Sequence, residues 1–320
     1  MRLVMFGTGP FAAPLFRALY GTPHTVAALV TQPLRNARGK DASAPNPMRA
    51  VAAEHGTPVL DPADVNAPES LAEVRKLAAD LFVVADYGQI LSDDLLSVVR
   101  LGGINLHGSL LPKYRGAAPI NWAIYRGDTV AGVTVIEMTP RVDAGPALAQ
   151  ASTPIGPDET APQLETRLAE LGAPLIVQVI EDLAAGRANP LVQDRALASG
   201  ARRLRKTDGI IDWSRAAVVI KNQIRALEPW PKTYTFWHRE GGAPLRLILG
   251  HVAVQPSEST ASAPGTVLAA QGGELQIATG DGVLKILDIQ PEGRRMLPAA
   301  EFLRGYPVRP SQRLGPDVKN

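Results

Sequence analysis

LVMFGTG at residues 3–9 places a short apolar run directly before a glycine turn. Apolar side chains then recur at helical spacing over residues 11–20, which predicts a strand, a tight turn and a helix. Further apolar runs at 26–30 and 81–84, the second after a helical stretch at 70–79, continue the alternation. Alternating strands and helices are typical of a parallel sheet with helices on both faces. The sequence therefore predicts a doubly wound, Rossmann-like α/β domain.

The second half of the chain has a different pattern. The apolar period fades after about residue 184 into Gly-, Pro- and Arg-containing turn sequence, which indicates a linker. A helix at about 215–227 is followed by short β-like runs with glycine turns, a pattern typical of a small barrel. We predict an α/β domain at 1–186, a linker at 187–206 and a small C-terminal β-barrel (OB-like) domain at 207–320.

Composition narrows the chemistry before any motif is considered. The 320 residues include no cysteine, which excludes disulfides, thiolate zinc sites and cysteine nucleophiles. The five histidines show no HExxH-type spacing, so we expect no metal site. No apolar run approaches the roughly 18 residues that a membrane span requires. Because the N-terminus enters a strand instead of a signal peptide, we expect a cytoplasmic protein.

Charge is distributed unevenly along the chain. The net charge is +2, but residues 201–320 hold 17 Lys and Arg against 11 Asp and Glu, whereas the first 200 hold 16 against 20. A basic C-terminal part can hold a polyanion while the other part performs chemistry. A solvated surface accounts for the same counts, so charge alone leaves both interpretations open.

Three polar residues are predicted to converge at one edge of the sheet. Asn105 and His107 are two residues apart in a predicted strand, so both side chains leave the same face. Asp143 lies in a glycine-flanked loop after the next strand. Open α/β sheets bind substrates at the carboxyl ends of their strands. We therefore take Asn105, His107 and Asp143 as the candidate catalytic residues.

These residue types suit the transfer of an acyl group to an amine. An asparagine amide or an imidazolium can stabilise the oxyanion that forms when the amine attacks. Histidine transfers protons near neutral pH, and a carboxylate can orient it. Taken alone, an Asn-x-His pair also fits structural hydrogen bonding at a strand end.

The surrounding sequence adds a resemblance. NLHGSLLP at 105–112, followed by RGAAPI at 115–120, resembles the signature of the folate-dependent formyltransferases. Within that family the pattern is most similar to the branch whose acceptor is methionyl initiator tRNA. Further matches are GTGPFA (7–12), YGQIL (87–91), GVT (132–134), DAGP (143–146), DGIIDW (208–213), IRAL (224–227), PWP (229–231) and ATGDG (278–282).

The resemblance implies a cofactor and residues that hold it. It implies 10-formyltetrahydrofolate as co-substrate and direct attack by the amine, with Asn105, His107 and Asp143 as catalytic residues. The loop residues Ser109, Leu110, Leu111 and Pro112 are implied to contact the folate. The backbone around Gln89, Ile90 and Leu91 and around Arg141 and Val142 is implied to hold the pterin ring.

The partner implied by the resemblance is initiator methionyl-tRNA, bound by a monomer that acts away from membranes. For its phosphates and acceptor end we predict contacts from the turn and from two basic clusters: Gly7, Thr8, Gly9, Arg35, Arg38, Lys40, Arg202, Arg203, Arg205 and Lys206. The loop at 34–40, LRNARGK, is one residue shorter than is usual in the family, so acceptor recognition differs there. Asp86 stands where the family usually has alanine, adding a carboxylate near the folate.

Three other functions fit parts of the sequence. GTGxxA at 7–12 superficially fits a dinucleotide fingerprint, but no Asp or Glu lies between Gly9 and Lys40 to bind the ribose. An amino sugar nucleotide is the alternative acceptor, because formyltransferases that act on amino sugar nucleotides can also carry a second domain. An enzyme that formylates glycinamide ribonucleotide could instead end close to the end of the first domain. A non-enzymatic RNA-binding protein is the third alternative, against which the intact trio argues.

Overall fold

The computed structural model describes residues 1–34, 46–239, 242–255 and 262–316. The chain divides into two units, each built from segments that alternate along the sequence. The first unit comprises Met1–Pro119, Val130–Pro154 and Gln163–Arg202. The second unit comprises Ile120–Thr129, Ile155–Pro162 and Arg203–Asn320.

A seven-stranded sheet forms the centre of the first unit. Its strands, in chain order, are β1 (Arg2–Gly7), β2 (Thr25–Val30), β3 (Val59–Leu60), β4 (Leu81–Ala85), β5 (Gly103–His107), β6 (Val130–Glu137) and β7 (Ala147–Pro154). The helices up to residue 184 are α1 (Ala13–Leu19), α2 (Pro47–Glu54), α3 (Pro68–Lys76), α4 (Asp93–Leu96), α5 (Pro119–Arg126) and α6 (Ala161–Ala184). Of these, α5 belongs to the second unit from Ile120 onward.

The strand order is β3-β2-β1-β4-β5-β6-β7. The first five strands are parallel, as the alternation of strands and helices predicts. β6 pairs antiparallel with β5, and β7 pairs antiparallel with β6, so this edge of the sheet is a meander. This antiparallel edge adjoins the parallel strands that the alternation of strands and helices predicts. The short connection between β6 and β7 leaves no room for the helical crossover that a parallel pair requires.

Helices cover both faces of the sheet. Val4, Phe6, Phe82 and Val84 point to one face, where they form a core with Val74 of α3 and with residues of α4. Leu106 of β5 points to the other face, where a Cβ added at Gly172 of α6 would lie 2.6 Å from it. The glycine thus lets α6 approach β5 closely. Asn105 and His107, which alternate with Leu106, leave the sheet on the face opposite α6.

The second unit contains antiparallel strands and two further helices. Its remaining elements are α7 (Ala217–Ala226), β8 (Thr233–Trp237), β9 (Leu245–Leu249), β10 (Val252–Gln255), β11 (Val267–Gln271), β12 (Glu274–Ala278), β13 (Val283–Ile286), β14 (Asp288–Pro291), β15 (Leu297–Pro298), α8 (Ala299–Gly305) and β16 (Leu314–Gly315). They form two sheets, β10-β13-β12-β11 and β15-β14-β9-β8-β16. Only a few residues separate β9 from β10 and β13 from β14, so the same stretches of chain run through both sheets, as in a small barrel. The predicted α/β domain followed by a β domain is confirmed.

Within the described ranges, no helix combines the length and the hydropathy needed to span a bilayer.

Candidate active site

The carboxyl end of β5 carries His107. Its ring is 6% exposed, and its Nε2 lies 2.9 Å from the carbonyl oxygen of Tyr114. Because a carbonyl oxygen only accepts hydrogen bonds, Nε2 carries the hydrogen and donates it. The other ring nitrogen, Nδ1, lies 3.6 Å from Oδ2 of Asp143. Nδ1 is therefore the nitrogen at which His107 can gain and lose a proton, and a carboxylate faces it.

Asp143 lies in the loop after β6, where a backbone N–H holds its carboxylate. The backbone N–H of Gly116 donates to its Oδ2 at 2.8 Å. Its φ of 50° lies in the left-handed region, which a residue with a side chain rarely adopts. Such a conformation persists only where neighbouring contacts hold it. The loop therefore presents the carboxylate to His107 in a fixed direction.

Asn105 differs from its two partners. Its side chain is half-buried, and in the part of the chain that the structure describes it forms no hydrogen bond. Most polar side chains this far from bulk solvent are paired. An amide with free donors beside an acid–base pair can hydrogen-bond an oxygen of a bound ligand.

The loop after His107 is fixed by side chains of the β6–β7 meander. Thr134 donates from Oγ1 to the carbonyl oxygen of Ser109 at 2.6 Å and accepts from the backbone N–H of Leu111 at 3.0 Å. Gln150 donates to the carbonyl oxygen of Leu111 at 2.7 Å. Ser109 and Leu111 are buried, whereas Leu110 and Pro112 are partly exposed. Of these four residues, which the sequence predicts as folate contacts, Leu110 and Pro112 offer accessible side chains.

The residues predicted to hold the pterin are divided between internal and accessible groups. The Gln89 side chain accepts from the backbone N–H of Val65 at 2.9 Å and donates to the carbonyl oxygen of Pro62 at 3.3 Å. Leu91 is 1% exposed and belongs to the core. Ile90 and Val142, by contrast, are 65% and 52% exposed. Arg141 is exposed as well, and the predicted backbone contacts of this set with a pterin ring stay a prediction.

Asp86 lies against the glycine turn that follows β1. Its backbone carbonyl accepts from the N–H of Thr8 at 3.0 Å, and its Oδ2 would lie 1.7 Å from a Cβ added at Gly9. Although water reaches Asp86, the surrounding protein partly removes its carboxyl from solvent, and this desolvation raises its pKa to about 6. Burial, and then the charge of Asp86, raise the pKa of Glu165 on α6. The Asp86 carboxyl lies against Gly9, so its negative charge disfavours a phosphate at this turn whenever Asp86 is ionised.

The predicted basic contacts lie in three places. Arg35, Arg38 and Lys40 fall outside the described residues. Arg202 ends the first unit. Arg203, Arg205 and Lys206 begin the second unit and are exposed.

Sequence reasoning missed Gln193, which is buried beside the loop of Asp143. It lies within the range predicted as linker, where no periodic pattern marks a functional residue. Its partners, Arg115 and the loop at 143–145, are distant in sequence. No signal in the sequence could have linked them.

No group of three His, Asp or Glu side chains that could hold a metal ion occurs among the residues with described positions.

Comparison with known families gives two matches. The family profile described as "Formyl transferase" matches residues 1–180, and the profile described as "Formyl transferase, C-terminal domain" matches residues 203–307. Together they cover most of the chain.

Individual proteins agree with these matches. A methionyl-tRNA formyltransferase of Citrifermentans bemidjiense is 43% identical over 315 residues, which are 98% of this chain and 96% of the relative. The enzyme of the same name from Geobacter sulfurreducens is 42% identical and covers 98% of this chain and 97% of its own length. The crystal structure of WlaRD, a sugar 3N-formyl transferase in the presence of dTDP and 5-N-formyl-THF, superposes with a TM-score of 0.64 at 16% identity, covering 92% of this chain and 99% of that one. The last similarity shows a shared fold.

Proposed function

This chain belongs to the formyl transferase family, and from that membership we infer that it transfers a formyl group from 10-formyltetrahydrofolate to the α-amino group of methionyl initiator tRNA. It is a formyltransferase enzyme. The identity of the acceptor rests on relatives named for methionyl-tRNA that match nearly the whole chain at about 40% identity. An amino sugar nucleotide is the weaker candidate, because the structure that suggests it shares only the fold.

The observation that carries the proposal is the Nδ1 atom of His107 facing the carboxylate of Asp143. In the reaction, the amine nitrogen bonds to the formyl carbon, and the carbon's bond to N10 of the folate then breaks. The amine must lose one proton, and N10 must gain one. With Nε2 donating to Tyr114, His107 can take the amine's proton at Nδ1 and return it to N10. Asp143 stabilises the imidazolium that forms when Nδ1 takes the proton.

Asn105 supplies the remaining requirement. During attack the formyl oxygen becomes negatively charged, and a donor placed beforehand lowers the barrier. The Asn105 amide, which forms no hydrogen bond with the described protein, can donate to that oxygen. Ile90 and Val142 are exposed apolar side chains in the loops that follow β4 and β6, and they are proposed to lie against the pterin ring.

The C-terminal unit is proposed to bind the tRNA. Its exposed Arg203, Arg205 and Lys206 supply positive charge for phosphates. The predicted division at 1–186, 187–206 and 207–320, the monomeric state and the cytoplasmic location all stay predictions.

One experiment tests the proposal. The purified chain is incubated with 10-formyltetrahydrofolate and, separately, with charged initiator tRNA, charged elongator tRNA and an amino sugar nucleotide. We expect formyl-methionine on the initiator tRNA at the highest kcat/KM. Faster formylation of the sugar nucleotide would replace the acceptor, and no formylation of any of the three would overturn the proposal.

A further inference from the structure

The segment at 191–201, which we call the return segment, is bonded to both loops of the candidate active site. Leu191 and Ala147 exchange two backbone hydrogen bonds of 2.8 Å. Arg115 donates its backbone N–H to the carbonyl oxygen of Ser199 at 2.8 Å and accepts from the N–H of Ala201 at 2.7 Å. The return segment therefore joins the loop that follows His107 to the loop that contains Asp143.

Gln193 is the side chain at the centre of this junction. It is 8% exposed. Its Nε2 donates to the carbonyl oxygens of Asp143 and Gly145 at 3.0 and 2.7 Å. Its Oε1 accepts from Nε and Nη2 of Arg115 at 3.1 and 2.7 Å. In the opposite orientation of the amide, its oxygen would point at two carbonyl oxygens and its NH2 group at a guanidinium. The chemistry of the partners therefore permits only the orientation described.

These bonds fix Asp143 at both ends. Gln193 holds its backbone carbonyl, and the N–H of Gly116 holds its carboxylate. Gly116 directly follows Arg115, which Gln193 also binds. A left-handed φ at Asp143 requires such support from its surroundings.

We propose that Gln193 is a positioning residue that sets the direction of the Asp143 carboxylate toward Nδ1 of His107. The inference rests on the proposed function, since it assigns Gln193 a part in formyl transfer. Gln193 acts through Asp143 and Arg115, and its effect is on kcat. A loop displaced by about 1 Å can cost about 100-fold in rate.

Two variants separate this role from simple support of the fold. Gln193→Met keeps the volume and removes all four hydrogen bonds. Gln193→Glu keeps acceptors for Arg115 but, when ionised, turns a negative oxygen toward the carbonyls of Asp143 and Gly145. When the introduced carboxyl is protonated, its O–H can again donate to those carbonyls.

The measurement is steady-state formylation over a range of 10-formyltetrahydrofolate concentrations up to saturation and over a range of pH, at a temperature where circular dichroism shows each variant folded. We expect both variants to lower kcat by about 10- to 100-fold near neutral pH, with little change in KM for 10-formyltetrahydrofolate. The kcat of Gln193→Glu relative to the unsubstituted chain should rise as the pH falls. The relative kcat of Gln193→Met should stay constant.

Gln223→Met is the matched control. Gln223 is a 1% exposed glutamine of the second unit whose Nε2 likewise donates to two carbonyl oxygens, those of Asp208 and Ile210, at 2.7 and 3.0 Å. We expect it to lower the melting temperature without changing the pH dependence of kcat.

Unchanged kcat per folded molecule in both Gln193 variants would overturn the inference while leaving the proposed function intact. If Gln193→Met does not fold, Gln193→Glu alone carries the test, and a kcat near neutral pH equal to that of the unsubstituted chain would overturn the inference. An unsubstituted chain that formylates no acceptor would instead refute the proposed function.

Discussion

Nδ1 of His107 lies 3.6 Å from Oδ2 of Asp143. The distance is longer than a hydrogen bond, as is common for catalytic pairs that tighten when substrate binds. Nε2 of the same ring is engaged by a backbone carbonyl. Proton transfer through His107 therefore depends on the side of the ring that Asp143 faces.

Removing either member of this pair is expected to stop turnover without unfolding the chain. His107→Ala and Asp143→Ala should each lower kcat by about 10²- to 10⁴-fold, because the first removes the base and the second removes the carboxylate that stabilises its protonated form. The measurement is single-turnover formylation, with circular dichroism as the check on folding. His251→Ala is the control: His251 pairs with Asp288 at 2.7 Å in the second unit and should retain activity. A near-normal rate in either active-site variant would contradict the assigned role.

Asn105→Ala is expected to lower kcat by about 10²- to 10³-fold, the usual effect of removing one oxyanion donor. Because the amide has no hydrogen-bond partner in the described structure, the melting temperature should not fall. The two quantities are measured on the same preparation. A variant that loses stability but keeps its rate would show that Asn105 serves the fold instead.

The Asp86 carboxyl gives a prediction about stability and pH. Burial raises its pKa from 3.8 to about 6, so its ionised form is less favourable in the folded chain than in the unfolded one. The folded state thus loses stability as the pH rises through about 6. Asp86→Asn should raise the melting temperature at about pH 8, and the difference should vanish as the pH falls toward about 4.

Asp158→Asn provides a control of opposite sign. A hydrogen bond from Lys221 lowers the pKa of Asp158, so this carboxylate favours the folded state when ionised. Its loss should lower the melting temperature slightly at about pH 8, with the difference disappearing in acid. Thermal melts across this range test both variants. A pH-independent effect of Asp86→Asn would exclude ionisation as the cause.

The basic residues at the start of the second unit are expected to act on tRNA alone. Changing Arg203, Arg205 and Lys206 together to Glu should raise KM for charged tRNA and leave folate affinity unchanged, because these side chains are proposed to bind phosphates. The dependence of binding on salt should also weaken, by about one unit of slope for each phosphate that the variant no longer neutralises.

A matched triple change keeps the net charge equal. Arg294, Arg295 and Arg304 are exposed in the same unit, and converting them to Glu alters the total charge by the same amount. Equal effects of the two triple variants would attribute tRNA binding to overall charge and not to the residues at 203–206.

The parts of the fold that the sequence predicted are those with a local signal. The run at 3–9 predicted β1 and the turn after it, and the loss of apolar period after about residue 184 coincides with the end of α6. β7 was missed because ALAQASTP has few β-branched residues, and it forms through pairing with β6. Asn105, His107 and Asp143 could be nominated from spacing and resemblance. Gln193 could not, because only the folded chain brings it to Asp143.

The return segment determines where a fragment that contains the candidate active site can end. A fragment ending at residue 186 would lack the return segment. The loop that follows His107 and the loop that contains Asp143 would then lose the hydrogen bonds through which Gln193 and its neighbours join them. A fragment ending after Ala201 would keep all of these hydrogen bonds. Any chimaera that exchanges C-terminal modules between relatives should therefore be spliced beyond Ala201, since residues 191–201 hold the loop after His107 and the loop of Asp143 together.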